Sequence, residues 1–234
     1  CGVEPDAPEA VEIPRRVAAA RNLRFAGLLT HAGHSYHARS KDELLAIARR
    51  EREATVELAG RLRADGIEVP TVSVGSTPTM THAESLDGVD EARPGNYIFF
   101  DAFQATLGSC SFEDCALTVL ASVVHRDRTR RKVVIDAGAV ALSKDRGAVD
   151  FDSACGYGRV LDLEGRDTSL RVTSVSQEHG AIENLSDADL ERLRVGARLR
   201  VLANHSCLTA AQHSHYNVLE AGRVVDRWEI LRGW

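Results

Sequence analysis

The sequence predicts an α/β segment with parallel strands over residues 1–107, followed by an antiparallel β-domain over residues 108–234. Three observations predict it. Over the first hundred residues, apolar strand-like runs alternate with helical patterns, as crossover connections between parallel strands require. Past about residue 108 the pattern changes to short strands separated by turn residues. Hydrophobic residues make up 44% of the 234 positions, enough for a sizeable core in one or two domains.

The elements follow in order. Residues 7–22, "APEAVEIPRRVAAARN", read as a helix that Pro14 should kink or split. "LRFAGLLTHAG" (23–33) reads as a buried strand ending in Gly and His. The clearest element is "SKDELLAIARREREATVELAGRLRADG" (40–66). Ser40 caps it with Glu43 at the capping-box position, Leu44, Leu45, Ala48, Thr55, Ala59 and Leu62 keep a helical stripe, and Gly66 ends it. "EVPTVSVGST" (68–77) is a short strand, and "ARPGNYIFFDA" (92–102) a third, entered through Pro94–Gly95. Beyond these, "ALTVLASVVHR", "RKVVIDAGAVALS", "SLRVTSVSQEHGAI", "ARLRVLANHSC", "YNVLEAG" and "RVVDRWEIL" read as strands. Only "SDADLERL" reads as helical there.

A closed (β/α)8 barrel takes about 250 residues, whereas the α/β half here has about a hundred and three strands. Either it is a small α/β sandwich, or barrel residues precede Cys1; the second is the expectation, since an open half-barrel exposes sheet edges. A formal net charge of −5 gives no electrostatic reason to expect nucleic acid or an anionic membrane as partner. No apolar run approaches the roughly 20 residues of a membrane span. The opening "CGVEPDAPEAVEIPRR" lacks a signal-peptide pattern, and five cysteines without regular spacing do not form a disulfide framework. A reduced, cytoplasmic protein is expected.

Polar residues collect at strand ends, where parallel α/β folds bind ligands. "THAGHSYH" places His31, His34 and Tyr36 there, "VSVGSTPT" places Gly75, Ser76 and Thr77, and "RPGNYIFFD" offers Tyr97 and Asp101. Gly-Ser-Thr after a strand can present N–H groups and hydroxyls to a phosphate, although an ordinary turn uses the same residues. In "ANHSCLTAAQHSH", His205 and Cys207 share one face if the segment is a strand, and imidazole with thiolate suits zinc. His213 and His215 could complete a four-ligand structural site. An open site would act as a Lewis acid, and a buried cysteine beside a hydrogen-bonded histidine is the third possibility.

Taken together, "CGVEPD", "GLLTHAGHSY", "VSVGSTPT", "ARPGNYIFFD", "VIDAGAVALSKDRG", "VSQEHG", "NHSCLTA" and "VVDRWEILRGW" resemble, in that order, the D-serine dehydratase/D-threonine aldolase family. These are pyridoxal-phosphate enzymes of the alanine racemase type. The resemblance implies the C-terminal part of a cofactor-bearing (β/α)8 barrel followed by a β-domain. It implies that Gly75, Ser76 and Thr77 hold the cofactor phosphate, that His34, Tyr36 and Tyr97 line the pocket, and that His205 and Cys207 bind zinc or another divalent metal; His179 is a candidate neighbour of the metal. The covalent lysine of the family is expected upstream of Cys1, because Lys41, Lys132 and Lys144 lie in polar settings unlike the desolvated strand end such a lysine needs. The implied activity is elimination from a 3-hydroxy D-amino acid to a keto acid and ammonia, with retro-aldol cleavage as the alternative and a hydroxyaspartate also open as substrate. A homodimer is implied as well. The missing lysine raises a further alternative, that the isolated chain is inactive.

Overall fold

Helix α2 (Lys41–Ala64) forms as its sequence dictates. The Ser40 hydroxyl accepts the Glu43 N–H at 3.2 Å, the Glu43 carboxylate reaches back to the Arg39 N–H at 2.7 Å, and Leu44, Ala48, Leu58, Ala59 and Leu62 are buried along one face. The structure, a computed structural model, describes residues 2–232. The chain divides into two units, Cys1–Tyr97 and Ile98–Trp234.

In the first unit three short strands, β1 (Leu28–Leu29), β2 (Val72–Val74) and β3 (Glu91–Ala92), pair in parallel in the order β1-β2-β3. Helix α2 connects the first two, and α3 (Thr77–His82) lies between the second and third. Ala10 of α1 (Glu9–Ala19) joins Leu58, Ala59, Leu62, Ile67, Val69 and Val72 in the core. The parallel α/β reading of this half therefore holds in kind, and the strands are shorter than expected. The described residues do not close a (β/α)8 barrel. Pro14 does not split α1; it sits buried within an uninterrupted helix, at the cost of the one N–H bond proline cannot make. The strand expected over 92–102 is also corrected. After β3 the chain forms a 3-10 turn (Asn96–Ile98) and then helix α4 (Ala102–Leu107), because Pro94–Gly95 interrupts the ladder and Asp101 accepts the Gln104 N–H at 2.9 Å to cap a new helix.

Residues 98–107, assigned to the first half on pattern, fall within the second unit. Its centre is a seven-stranded antiparallel sheet built from β4 (Val119–Asp127), β5 (Lys132–Ile135), β6 (Arg159–Leu161), β7 (Asp167–Arg171), β8 (Ser174–Val175), β9 (Gly180–Ile182) and β10 (Arg198–Leu202), in the order β7-β6-β10-β4-β5-β9-β8. The period-two pattern is visible in β4, where Val119, Ala121 and Val123 are buried and Leu120 is exposed. Val133, Ile135, Val160, Ile182, Leu185, Leu199 and Val201 fill the core with Leu190 of α6 (Asp187–Arg192). Each such side chain contributes about 1.5–3 kcal/mol through burial. Two short helices, α5 (Ala139–Leu142) and α7 (Ser206–Ala210), follow β5 and β10. The chain ends in an exposed hairpin of β11 (His215–Glu220) and β12 (Arg223–Glu229), whose Ala221–Gly222 turn has positive φ at both residues, as a two-residue hairpin loop demands.

Candidate functional site

The histidine–cysteine pair lies at the start of α7, not in a strand. Strand β10 ends at Leu202, and the segment after it is held in place by main-chain bonds to the start of α4: Ala102 N–H to the Ala203 carbonyl at 3.2 Å, and Phe103 N–H to that of Asn204 at 3.3 Å. Asp101, 2% exposed, ties the two helices together. One carboxylate oxygen caps α4 and the other accepts the Ser206 N–H of α7 at 2.9 Å. The Asn204 amide donates to the Gly156 carbonyl at 2.9 Å, and the Thr209 hydroxyl donates to the Leu142 carbonyl at 3.1 Å. His205, in extended conformation, precedes the first helical residue, and Cys207 stands in the first turn. Their two-residue spacing thus brings them together through a strand-to-helix turn, where the expected strand alternation would have had them side by side on a ladder.

The electrostatics of the pair are set by its neighbours. His205 Nδ1 lies 2.6 Å from Asp145 Oδ2, and the Asp145 hydrogen bond, followed by that to Cys207, pushes the imidazole up to about 10. The His205 hydrogen bond holds the Cys207 thiol below its ordinary value, against the upward push of burial. The same His205 bond lowers Asp145, which also accepts the Gly147 N–H at 2.7 Å. Asp145 rides on a strained turn: Ser143 has φ 66° and ψ 175°, a region almost reserved for glycine. Tyr216, its ring 5.0 Å from that of Phe99, is pushed up by burial and then by the charge of Cys207.

The donor chemistry suits a divalent cation. With Nδ1 committed to a carboxylate, Nε2 is the nitrogen left for a metal, the usual arrangement of metal-bound histidines. The thiol partner makes the set borderline-soft, as zinc prefers. The closed four-ligand site does not form. His213 Nε2 is bound to the Ala141 carbonyl at 3.2 Å, His215 engages Ser214 and Arg227, and His179 stands exposed in the turn between β8 and β9. Among the described residues no three His, Cys, Asp or Glu side chains form a metal-sized group.

In the first unit, the Gly-Ser-Thr segment forms the turn from β2 into α3. Gly75 has φ +116°, so the backbone demands glycine, and a Cβ there would also press on the movable Met80 side chain at 2.8 Å. Ser76 caps α3 in a reciprocal box with Thr79, and its hydroxyl also meets that of Ser35 at 3.3 Å. The Thr77 hydroxyl accepts the Tyr97 N–H at 3.1 Å. Ser35, Ser76, Thr77, Thr79 and Asn96 are all buried, and no sequence pattern marked Ser35 or Asn96. The cluster offers hydroxyls and amides with open space beside Gly95, a donor set whose chemistry suits a phosphate. His34 is exposed on the 3-10 turn Gly33–His37, Tyr36 is half-buried with its ring 6.1 Å from that of His31, and Tyr97 is 52% exposed. Lys41 and Lys144 are exposed, and Lys132 pairs with Glu183 at 3.0 Å. None of the three lysines is desolvated. No helix among the described residues is long and apolar enough to cross a membrane.

Residues 1–102 match the alanine racemase N-terminal domain, and residues 116–219 match the putative serine dehydratase domain. D-threo-3-hydroxyaspartate dehydratase of Delftia sp. (strain HT23) is 44% identical over 217 residues, covering 91% of this chain and 57% of that protein. D-serine dehydratase of Dictyostelium discoideum is 38% identical over 222 residues, covering 91% of this chain and 55% of that protein. The chain thus spans little more than half the length of these curated relatives. The solved Delftia dehydratase superposes with a TM-score of 0.93 at 42% identity, covering 100% of this chain and 63% of that one. Solved variants of the dehydratase replace a histidine, or a cysteine two positions further on, by alanine, and the cysteine variant is in the metal-free form. D-threonine aldolase of Filomicrobium marinum superposes with a TM-score of 0.75 at 29% identity, covering 98% of this chain and 58% of that one.

Proposed function

The chain belongs to the D-serine dehydratase family of alanine racemase-like proteins, and on that premise we propose that it supplies the phosphate cradle and the metal pair of a pyridoxal-phosphate lyase. The proposed reaction is elimination of water from a 3-hydroxy D-amino acid, giving a keto acid and ammonia. The observation that carries this reading is the His205–Cys207 pair at the start of α7, with Asp145 behind the imidazole at 2.6 Å.

Gly75, Ser76 and Thr77 bind the cofactor phosphate in this reading, with His34, Tyr36 and Tyr97 bordering the ring and the substrate. Bound pyridoxal phosphate supplies an electron sink for the negative charge that develops at Cα. A divalent metal, zinc by donor chemistry, supplies Lewis acidity toward the β-hydroxyl, a poor leaving group. Asp145 pairs with His205 Nδ1 and fixes the ring, so that Nε2 is the atom that would hold a cation. Asp101, through the Ser206 N–H, holds the helix start on which Cys207 sits.

D-Serine and D-threo-3-hydroxyaspartate are the substrates the relatives' names suggest. The likeness to a D-threonine aldolase supports a second reading, in which Cα–Cβ cleavage gives glycine and an aldehyde. The test is to incubate the full chain with pyridoxal phosphate and zinc and each of D-serine, D-threo-3-hydroxyaspartate and D-threonine. Where a lysine able to hold the cofactor covalently is supplied with these residues, keto acid and ammonia, abolished by chelation and by Cys207→Ala, are expected. Without it the chain is expected to bind zinc without turnover. Glycine and aldehyde would move the reading to the aldolase, and turnover indifferent to chelator would remove the metal from it. A homodimer belongs to the same proposal, and sedimentation velocity distinguishes it from a monomer.

A further inference from the structure

Glu51 sits midway along α2 on the buried face, 7% exposed, at a position where the helical stripe calls for an apolar residue. One oxygen, Oε1, accepts three hydrogen bonds: from the Ala32 N–H at 2.9 Å, from the Gly75 N–H at 3.2 Å and from the Thr30 hydroxyl at 3.2 Å. The other, Oε2, is buried with no hydrogen-bond partner among the described residues, and no basic side chain pairs with this carboxylate there. A buried carboxylate held only by neutral donors is costly, and a leucine would fill the same space without that cost.

The donors identify what the carboxylate does. Thr30 and Ala32 lie just past the end of β1, and Gly75 lies just past the end of β2. Those strands share two residue pairs, Leu28↔Val72 and Leu29↔Ser73, and a bond from the Thr30 N–H to the Ser73 carbonyl at 3.0 Å continues the ladder by one residue. Thr55, one turn further along α2, donates to the Glu51 carbonyl at 2.8 Å and lies 3.5 Å from the Thr30 hydroxyl. Past the strand ends, Glu51 Oε1 joins the 30–32 segment to Gly75, the first residue of the Gly75–Thr77 turn, through the Gly75 N–H, beside a contact of His31 Nδ1 with the Gly75 carbonyl at 3.4 Å.

We propose that Glu51 is a positioning residue for phosphate recognition: it fixes Gly75, and with it the Ser76–Thr77 donors, against the loop that follows β1. This rests on the cofactor reading above. Glutamine at position 51 keeps a carbonyl oxygen for the same donors, whereas alanine leaves Ala32 N–H, Gly75 N–H and Thr30 to find other partners.

The test measures equilibrium binding of pyridoxine 5′-phosphate and of pyridoxine to the full chain. Neither ligand has an aldehyde, so no covalent bond to a lysine enters the comparison. The quantity read is the preference for the phosphorylated ligand, alongside the unfolding temperature. In Glu51→Ala that preference should fall by about tenfold or more, the size expected when buried donors lose their acceptor, and Glu51→Gln should restore most of it. An unchanged preference in Glu51→Ala, or equal loss for both ligands that follows the unfolding temperature, would overturn the positioning role. If Glu51→Ala does not fold, Glu51→Gln decides, since a preference lost in a folded glutamine variant contradicts the acceptor argument. A native chain with no preference for the phosphorylated ligand would instead overturn the cofactor reading itself.

Discussion

At the residue scale, the chemistry of the second unit depends on where one proton resides. The His205 imidazole is raised to about 10, first by Asp145 and then by Cys207, so at neutral pH its proton must leave before Nε2 can bind a cation. Raising the pH toward 10 therefore favours metal binding, and lowering it opposes it, because proton and metal compete for the same nitrogen. Zinc titrations of metal-free protein at several pH values should show affinity rising with pH and protons released on binding. An affinity indifferent to pH between 6.5 and 10 would contradict the assignment of His205 as ligand. Replacing Asp145 by Asn removes the partner that orients the ring and should weaken zinc binding about 10- to 100-fold. Cys207→Ser should weaken it by loss of the soft donor, with unfolding in urea left near that of the parent because Cys207 is exposed.

At the element scale, α4 and α7 are short helices that share one cap. A helix of five or six residues has little stability of its own, so both depend on what satisfies their first N–H groups. Asp101 serves both, with one oxygen on Gln104 N–H and the other on Ser206 N–H. Asp101→Ala should cost about 2–4 kcal/mol in urea unfolding, combining a lost cap with an orphaned buried N–H. Asp101→Asn keeps a capping oxygen and should cost less, while still weakening zinc binding because the start of α7 loses its anchor. Equal effects of the two substitutions would show that the α4 cap retained by asparagine carries none of the stability. The strands expected in the β half formed where alternation was clear, as in β4. The strand expected over 92–102 did not, since a capping aspartate and a Pro-Gly step compete locally with ladder formation.

At the scale of the whole molecule, the two units carry separate parts of the proposed enzyme: hydroxyl and amide donors in one, the imidazole–thiol pair in the other. The three lysines lie at the start of α2, in an ion pair on β5 and in an exposed turn. A lysine that forms an imine readily at neutral pH needs a desolvated setting or a cationic neighbour to lower its pKa, and none of these positions is desolvated. Borohydride reduction in the presence of pyridoxal phosphate, followed by peptide mapping, should give only scattered labelling of this chain. One dominant adduct at Lys41, Lys132 or Lys144 would place the covalent anchor within these residues and contradict that expectation.

The sequence by itself determined the class of each half, the boundaries of α2, and the residue types of both candidate clusters. Periodicity and capping are local, and Ser40, Glu43 and Gly66 act within a few positions of one another. It also brought forward His205 and Cys207 through their spacing, although by a strand geometry that the chain does not adopt. Only the tertiary structure decided that Asp145, sixty positions before His205, orients the imidazole, and that Asp101 anchors the helix bearing Cys207. It likewise decided that Glu51, indistinguishable in sequence from the many exposed acids of α2, is turned inward to bind two loops. Such partners are chosen by the meeting of distant segments around buried N–H groups that need an acceptor, and no local pattern in the chain encodes that need.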